Sequence, residues 1–123
     1  MLTFFHIVLG WAVNIVFKNN KLRKLCSEGV AITRKWGAVQ AKRLRQRLDD
    51  LHAAPNLDVM RMLPGRCHEL TGTQSGQLSL DLEHPYRLVF EPANDPVPAK
   101  PDGGLDWKSV TAVRILKVED THG

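Results

Sequence analysis

What most narrows the folds open to this chain is a change of hydrophobic period at Pro64-Gly65. Before that point apolar residues recur at helical spacing, first Leu22, Leu25 and Cys26, then Leu44, Leu48 and Leu51 at i, i+4, i+7. After it they alternate, most clearly at Leu78, Leu80 and Leu82, so each strand there has one face for a core and one for water. Helices before the break and most strands after it give an α+β domain.

Local signals divide each half further. Val13 to Phe17 (VNIVF) is rich in β-branched and aromatic residues and reads as a buried strand. Asn19 or Asn20 caps a first helix, with Gly29 as its stop. A second helix runs from about Trp36 or Ala38 to Ala53, and Pro55 ends it. A short helical turn at Leu57 to Met62, capped by Asn56, precedes the break. Strands follow at Cys67 to Leu70, Gly76 to Leu82, Tyr86 to Glu91 and Val110 to Val118. Glu83-His84-Pro85 is short enough for a hairpin turn, whereas Pro92 to Asp106, with four prolines and two glycines, has loop composition. The expected architecture is a helical hairpin packed on a mostly antiparallel four- to five-stranded sheet, in the order β-α-α-β-β-β-β.

At 123 residues the chain is about one domain long. We expect one domain over residues 13–123, preceded by an apolar leader over 1–12 that arises from an early start codon. Met1 to Phe17 is uncharged, slightly short of a bilayer span and broken by His6, Gly10 and Asn14. No Lys or Arg precedes Lys18, so a secretory signal is disfavoured and stable membrane association is not expected. Cys26 and Cys67 stand alone, without metal-site spacing, which suits a reducing cytoplasm.

The net charge of +4 hides a segregation. From Lys18 to Arg47 there are ten basic residues against Glu28 alone; beyond Arg47, seven basic residues face twelve acids. A polyanion would be drawn to one part of such a surface. Lys42, Arg43, Arg45 and Arg47 on the second helix are the cations expected to meet it, with Lys117 on the last strand.

Four runs in order then carry a family resemblance: His68-Glu69-Leu70-Thr71-Gly72, Gly76-Gln77-Leu78-Ser79-Leu80, Tyr86-Arg87-Leu88-Val89-Phe90 and Glu119-Asp120-Thr121-His122. Together with Arg45 to Ala54 and Asn56-Leu57-Asp58, they resemble the HigB branch of bacterial RelE/ParE toxins over about Val13 to His122. The resemblance implies a RelE-like fold and a ribosome-dependent messenger RNA endoribonuclease, the toxin of a type II toxin-antitoxin pair. It implies no metal or cofactor. Its implied partners are the ribosome, messenger RNA and a cognate helix-turn-helix antitoxin that joins the toxin in a hetero-oligomer.

Carried onto this chain, the resemblance implies Arg87 as the group that stabilises the charged phosphate, His122 as a proton carrier and Asp120 as its neighbour. Three positions depart from the family: Thr71 replaces a lysine, Asp81 a basic residue and Thr121 the tail tyrosine. Arg66, His68 and His84 are the nearest possible substitutes. Two alternatives stay open, a non-enzymatic protein-binding member of the fold, including the gyrase-poisoning kind, and a small membrane-anchored RNA-binding module.

Overall fold

A computed structural model describes residues 13–121. The expected leader at 1–12 and His122 lie outside them. Among the described residues the architecture is α+β, with five strands in one mixed sheet and three α-helices. The strands are β1 (Asn14–Phe17), β2 (His68–Glu69), β3 (Leu78–Asp81), β4 (Tyr86–Pro92) and β5 (Ala112–Asp120). The helices are α1 (Asn20–Ser27), α2 (Gly29–Trp36) and α3 (Ala38–Ala53).

The sheet order is β1-β5-β4-β3-β2. From β5 through to β2 every pairing is antiparallel, while β1 lies parallel to β5, so the first and last strands are neighbours. β3 and β4 form the expected hairpin across Glu83-His84-Pro85, with Leu82 N–H donating to the Tyr86 carbonyl at 3.0 Å. A register shift at Val89/Phe90 adds a bulge to the β4–β5 ladder.

Two helices were expected between β1 and β2, and three are present. Gly29 opens a helix instead of closing one: the chain turns at Glu28, whose backbone is extended, and Gly29–Trp36 forms a separate element that buries Ile32. The break before α3 falls at Gly37, at φ 87°, a conformation that glycine adopts without a steric penalty. The Leu57–Met62 turn is present as a 3-10 helix. No helix among the described residues is long and apolar enough to cross a membrane.

The core lies between the helices and one face of the sheet. Leu44, Leu48 and Leu51 of α3 meet Leu78 and Leu80 of β3, Leu88 and Phe90 of β4, and Val113 and Ile115 of β5. Burying each of these side chains contributes roughly 1.5–3 kcal/mol. The helical stripe that carries the leucines also carries Arg47, three residues after Leu44 and four before Leu51, and Arg47 is only 6% exposed. Its Nε donates to the Asp81 carbonyl at 2.8 Å. Burial first, then repulsion from Arg43, lowers its pKa. Gly65 accommodates this cation: at φ 115°, a Cβ there would lie 2.8 Å from Arg47 Nε.

Candidate functional site

Because Leu78, Leu80, Leu88 and Phe90 face the core, their alternate neighbours face away from the helices. Register then fixes who sits beside whom, since residues directly opposite in antiparallel strands share a face. One row runs Asp81–Arg87–Glu119 across β3, β4 and β5. The next runs His68–Ser79–Val89–Lys117 across β2 to β5. The loop between β2 and β3 brings Gln74 over this surface, and the chain entering β2 brings Arg66.

The polar side chains form a connected network. Arg87 holds one oxygen of Glu119 with two donors, Nε at 2.8 Å and Nη2 at 2.7 Å. Its Nη2 also donates to Gln74 Oε1 at 3.1 Å, and the Gln74 amide donates back to both Glu119 oxygens at 3.2 and 3.3 Å. Lys117 Nζ reaches the other Glu119 oxygen at 2.9 Å. Burial alone would raise the Glu119 pKa, but hydrogen bonds from Lys117, Arg87 and Gln74 outweigh it and hold the carboxyl at about 2. Glu119 is thus a fixed anion.

Arg87 does not pair with Asp81, its cross-strand neighbour. Asp81 takes Arg66 instead, with Nε to Oδ2 at 2.9 Å and Nη2 to Oδ1 at 3.3 Å. His68 Nδ1 lies 2.8 Å from the Arg66 carbonyl. A carbonyl only accepts, so this bond places the proton on Nδ1 and leaves Nε2 as the basic nitrogen of the neutral ring. Beneath these groups Ser79 is fully buried, and its Oγ has no hydrogen-bond partner. The surface therefore carries three cations, two carboxylates and an imidazole, a composition able to bind an anion and exchange a proton with it.

The expected site residues divide over this structure. Arg87, Arg66, His68 and Lys117 come together on the sheet face. Asp120 is the residue after Glu119 and pairs opposite Tyr86, so it belongs to the other side of the ladder; the carboxylate that touches Arg87 is Glu119. His84 is exposed in the β3–β4 turn. Of the helix cations, Lys42 and Arg45 are exposed, but Arg43 is drawn to Glu83 at 2.6 Å. Arg47 is corrected outright: its place on the apolar stripe buries it, and it ties α3 to β3 instead of meeting RNA.

Sequence reasoning missed Glu119 and Gln74. Glu119 had a signal, since it stands two residues after Lys117 and so shares its face if the strand continues past Val118. Gln74 had none, because it arrives from a loop with a 3-10 turn at Gly72–Gln74. Among the described residues no group of three or more His, Cys, Asp or Glu is placed to hold a metal ion. The chain matches no protein-family model, and no curated protein matches it.

Proposed function

We propose that this chain is the toxin of a type II toxin-antitoxin pair, a RelE-like endoribonuclease that acts in the cytoplasm on messenger RNA at the ribosome. The observation that carries the reading is the cationic sheet face on which Arg87, Arg66 and Lys117 converge beside His68. Three of the four motifs that resemble the HigB branch reach this face, through His68, Arg87 and Glu119. A second support is the helix-backed sheet with antiparallel pairing from β2 to β5.

In this reading the 2′-hydroxyl oxygen of RNA attacks the adjacent phosphorus and the bond to the 5′ oxygen breaks. The products are a cyclic phosphate and a new 5′-hydroxyl. A base takes the 2′ proton, and an acid supplies one to the departing oxygen. Arg87 stabilises the charge that builds on the phosphate, since a guanidinium stays protonated and offers paired donors. Glu119 occupies those donors until the phosphate displaces it. Arg66 supplies positive charge beside Asp81, where the family has a basic residue, and Lys117 supplies it on the far side of Glu119. His68, through Nε2, and the tail His122 are the proton carriers, and Asp120 lies between Glu119 and the tail. A cognate helix-turn-helix antitoxin would neutralise the protein as a hetero-oligomer.

A second reading, a protein-binding member of the fold without nuclease activity, is favoured by one observation: Glu119 and Gln74 already satisfy Arg87. Cell-free translation separates the two. The nuclease reading expects translation to stop, with discrete primer-extension ends within translated messages. Arg87→Ala combined with His122→Ala should reduce those ends at least about a hundredfold, the lower range for loss of a charge-stabilising group. Undiminished cleavage by that double variant refutes the site. Intact translation with failed DNA supercoiling refutes the function and favours gyrase as the target.

A further inference from the structure

A second cationic surface lies around the edge of the sheet from Arg87. Lys18 follows β1, Lys21 stands in the first turn of α1, Lys35 and Trp36 close α2, and Lys117 lies on β5. These side chains line an open groove of about 280 Å3 floored by apolar residues such as Leu22 and Leu116, and no carboxylate lines it. Lys18, Lys21 and Lys35 make no ion pair with any described residue, unlike Arg43, Arg66 and Arg87. Trp36 is half-buried, with Lys35 Nζ at 5.4 Å from its ring centroid. β1 accompanies β5 only as far as Ile115, so beyond that point the β5 edge opens onto the groove without a neighbouring strand among the described residues.

This open groove falls just below the size of a pocket that engulfs a small molecule, ~300–1,000 Å3. It suits a segment of a longer chain lying across the surface. Lysines around a partly exposed aromatic ring match a ligand that alternates phosphates with planar bases, because the ring stacks a base while the ammonium groups follow the backbone. A duplex keeps its bases stacked on each other and offers the tryptophan nothing. Lys117 joins the groove to the first site, since the carboxylate that it holds also holds Arg87.

We propose that this groove binds a stretch of single-stranded RNA, with phosphates on Lys18, Lys21 and Lys35 and a base against Trp36, the strand passing Lys117 to reach Arg87. The inference rests on RNA being the ligand of the sheet face, and it moves the RNA-docking surface from α3 to the α1/α2/β5 edge.

The test uses the full chain and a single-stranded RNA of about 12 nucleotides carrying 2′-O-methyl groups, which removes the attacking hydroxyl and separates binding from cleavage. Affinity is measured by fluorescence anisotropy over a series of salt concentrations. Lys21→Glu with Lys35→Glu should weaken binding at least tenfold and flatten the slope of log K against log salt by about 1.4, two phosphates at ~0.7 each. Lys100→Glu with Lys108→Glu imposes the same charge change on the distant β4–β5 loop and should alter affinity by less than about threefold. Trp36→Leu, which keeps apolar bulk but loses the flat ring, should weaken binding roughly tenfold with the salt slope unchanged.

Equal loss in both double variants, or unchanged binding by the Lys21/Lys35 pair, overturns the proposal. So does displacement of the RNA by an oligoglutamate peptide at equal or lower concentration, which would make the groove a site for acidic polypeptide. Groove-dependent binding without cleavage of translated messages would sink the nuclease reading and leave the groove standing; cleavage with groove-independent binding would do the reverse.

Discussion

Acid should dismantle the Glu119 network before it unfolds the rest of the domain. The Glu119 carboxyl is held at about 2 against an ordinary 4.5. A folded-state pKa below the unfolded one means stability that is fully present above the unfolded value and is lost as pH falls toward the folded value. The window is therefore from about pH 5 down to about pH 2. At 1.36 kcal/mol per unit, this difference sets an upper bound of about 3.4 kcal/mol. The Glu119 side chain is 22% exposed and that of Lys117 50%, so solvent screening should reduce the contribution to about 1–2 kcal/mol. Urea unfolding followed by circular dichroism at a series of pH values reads it directly. The natural chain should lose about 1–2 kcal/mol more than Glu119→Gln between pH 5 and pH 2.5, and added salt should shrink the gap. Parallel losses in the two proteins would show that Glu119 is not held as an anion by its three donors.

The junction of Gly65 with Arg47 and the two thiols give further expectations. Gly65→Ala combines a positive φ with a Cβ 2.8 Å from Arg47 Nε and 3.0 Å from Leu80 Cδ2, so we expect a loss of about 2–4 kcal/mol in urea unfolding. In an Arg47→Ala background the same change should cost less, because one of the two clashing side chains is gone; an undiminished cost would assign the effect to backbone strain alone. Burial pushes the Cys26 thiol up to about 11 and that of Cys67 to about 12. Native protein near pH 8 should therefore react with iodoacetamide far more slowly than urea-unfolded protein, and rapid labelling of the native form would contradict that burial.

The sequence carried the fold wherever one period dominated a segment. Leu44, Leu48 and Leu51 located α3, and Leu78 with Leu80 located the inner face of β3. The misreadings arose where a residue has two local meanings. Gly29 can stop a helix or open one, and only the burial of Ile32 decides in favour of α2. The parallel pairing of β1 with β5 joins residues about a hundred positions apart, a separation over which no local spacing speaks. Basic residues on α3 raised a related ambiguity. Arg43 and Arg47 are one turn apart, but Arg47 falls within the leucine stripe and Arg43 at its margin, so one is enclosed and the other reaches Glu83.

At the candidate site the sequence supplied the cations but not what they are attached to. Arg87 was legible from its motif, whereas its partner depends on where β5 ends and on the register that sets Glu119 opposite it. That partner changes what a ligand must do. A phosphate approaching Arg87 must replace a carboxylate that already receives donors from Arg87, Gln74 and Lys117, so it gains only the difference between two anions at one guanidinium. Lys18, Lys21 and Lys35 carry no such competitor, and phosphates there release only counterions and water. On the proposed reading, strong initial attachment at the groove and exchange at Arg87 are therefore different tasks given to different cations. The exchange would then also be the selective step: a ligand too short to span both surfaces would lack the groove's contribution when it meets Glu119, and would leave the Arg87–Glu119 pair in place.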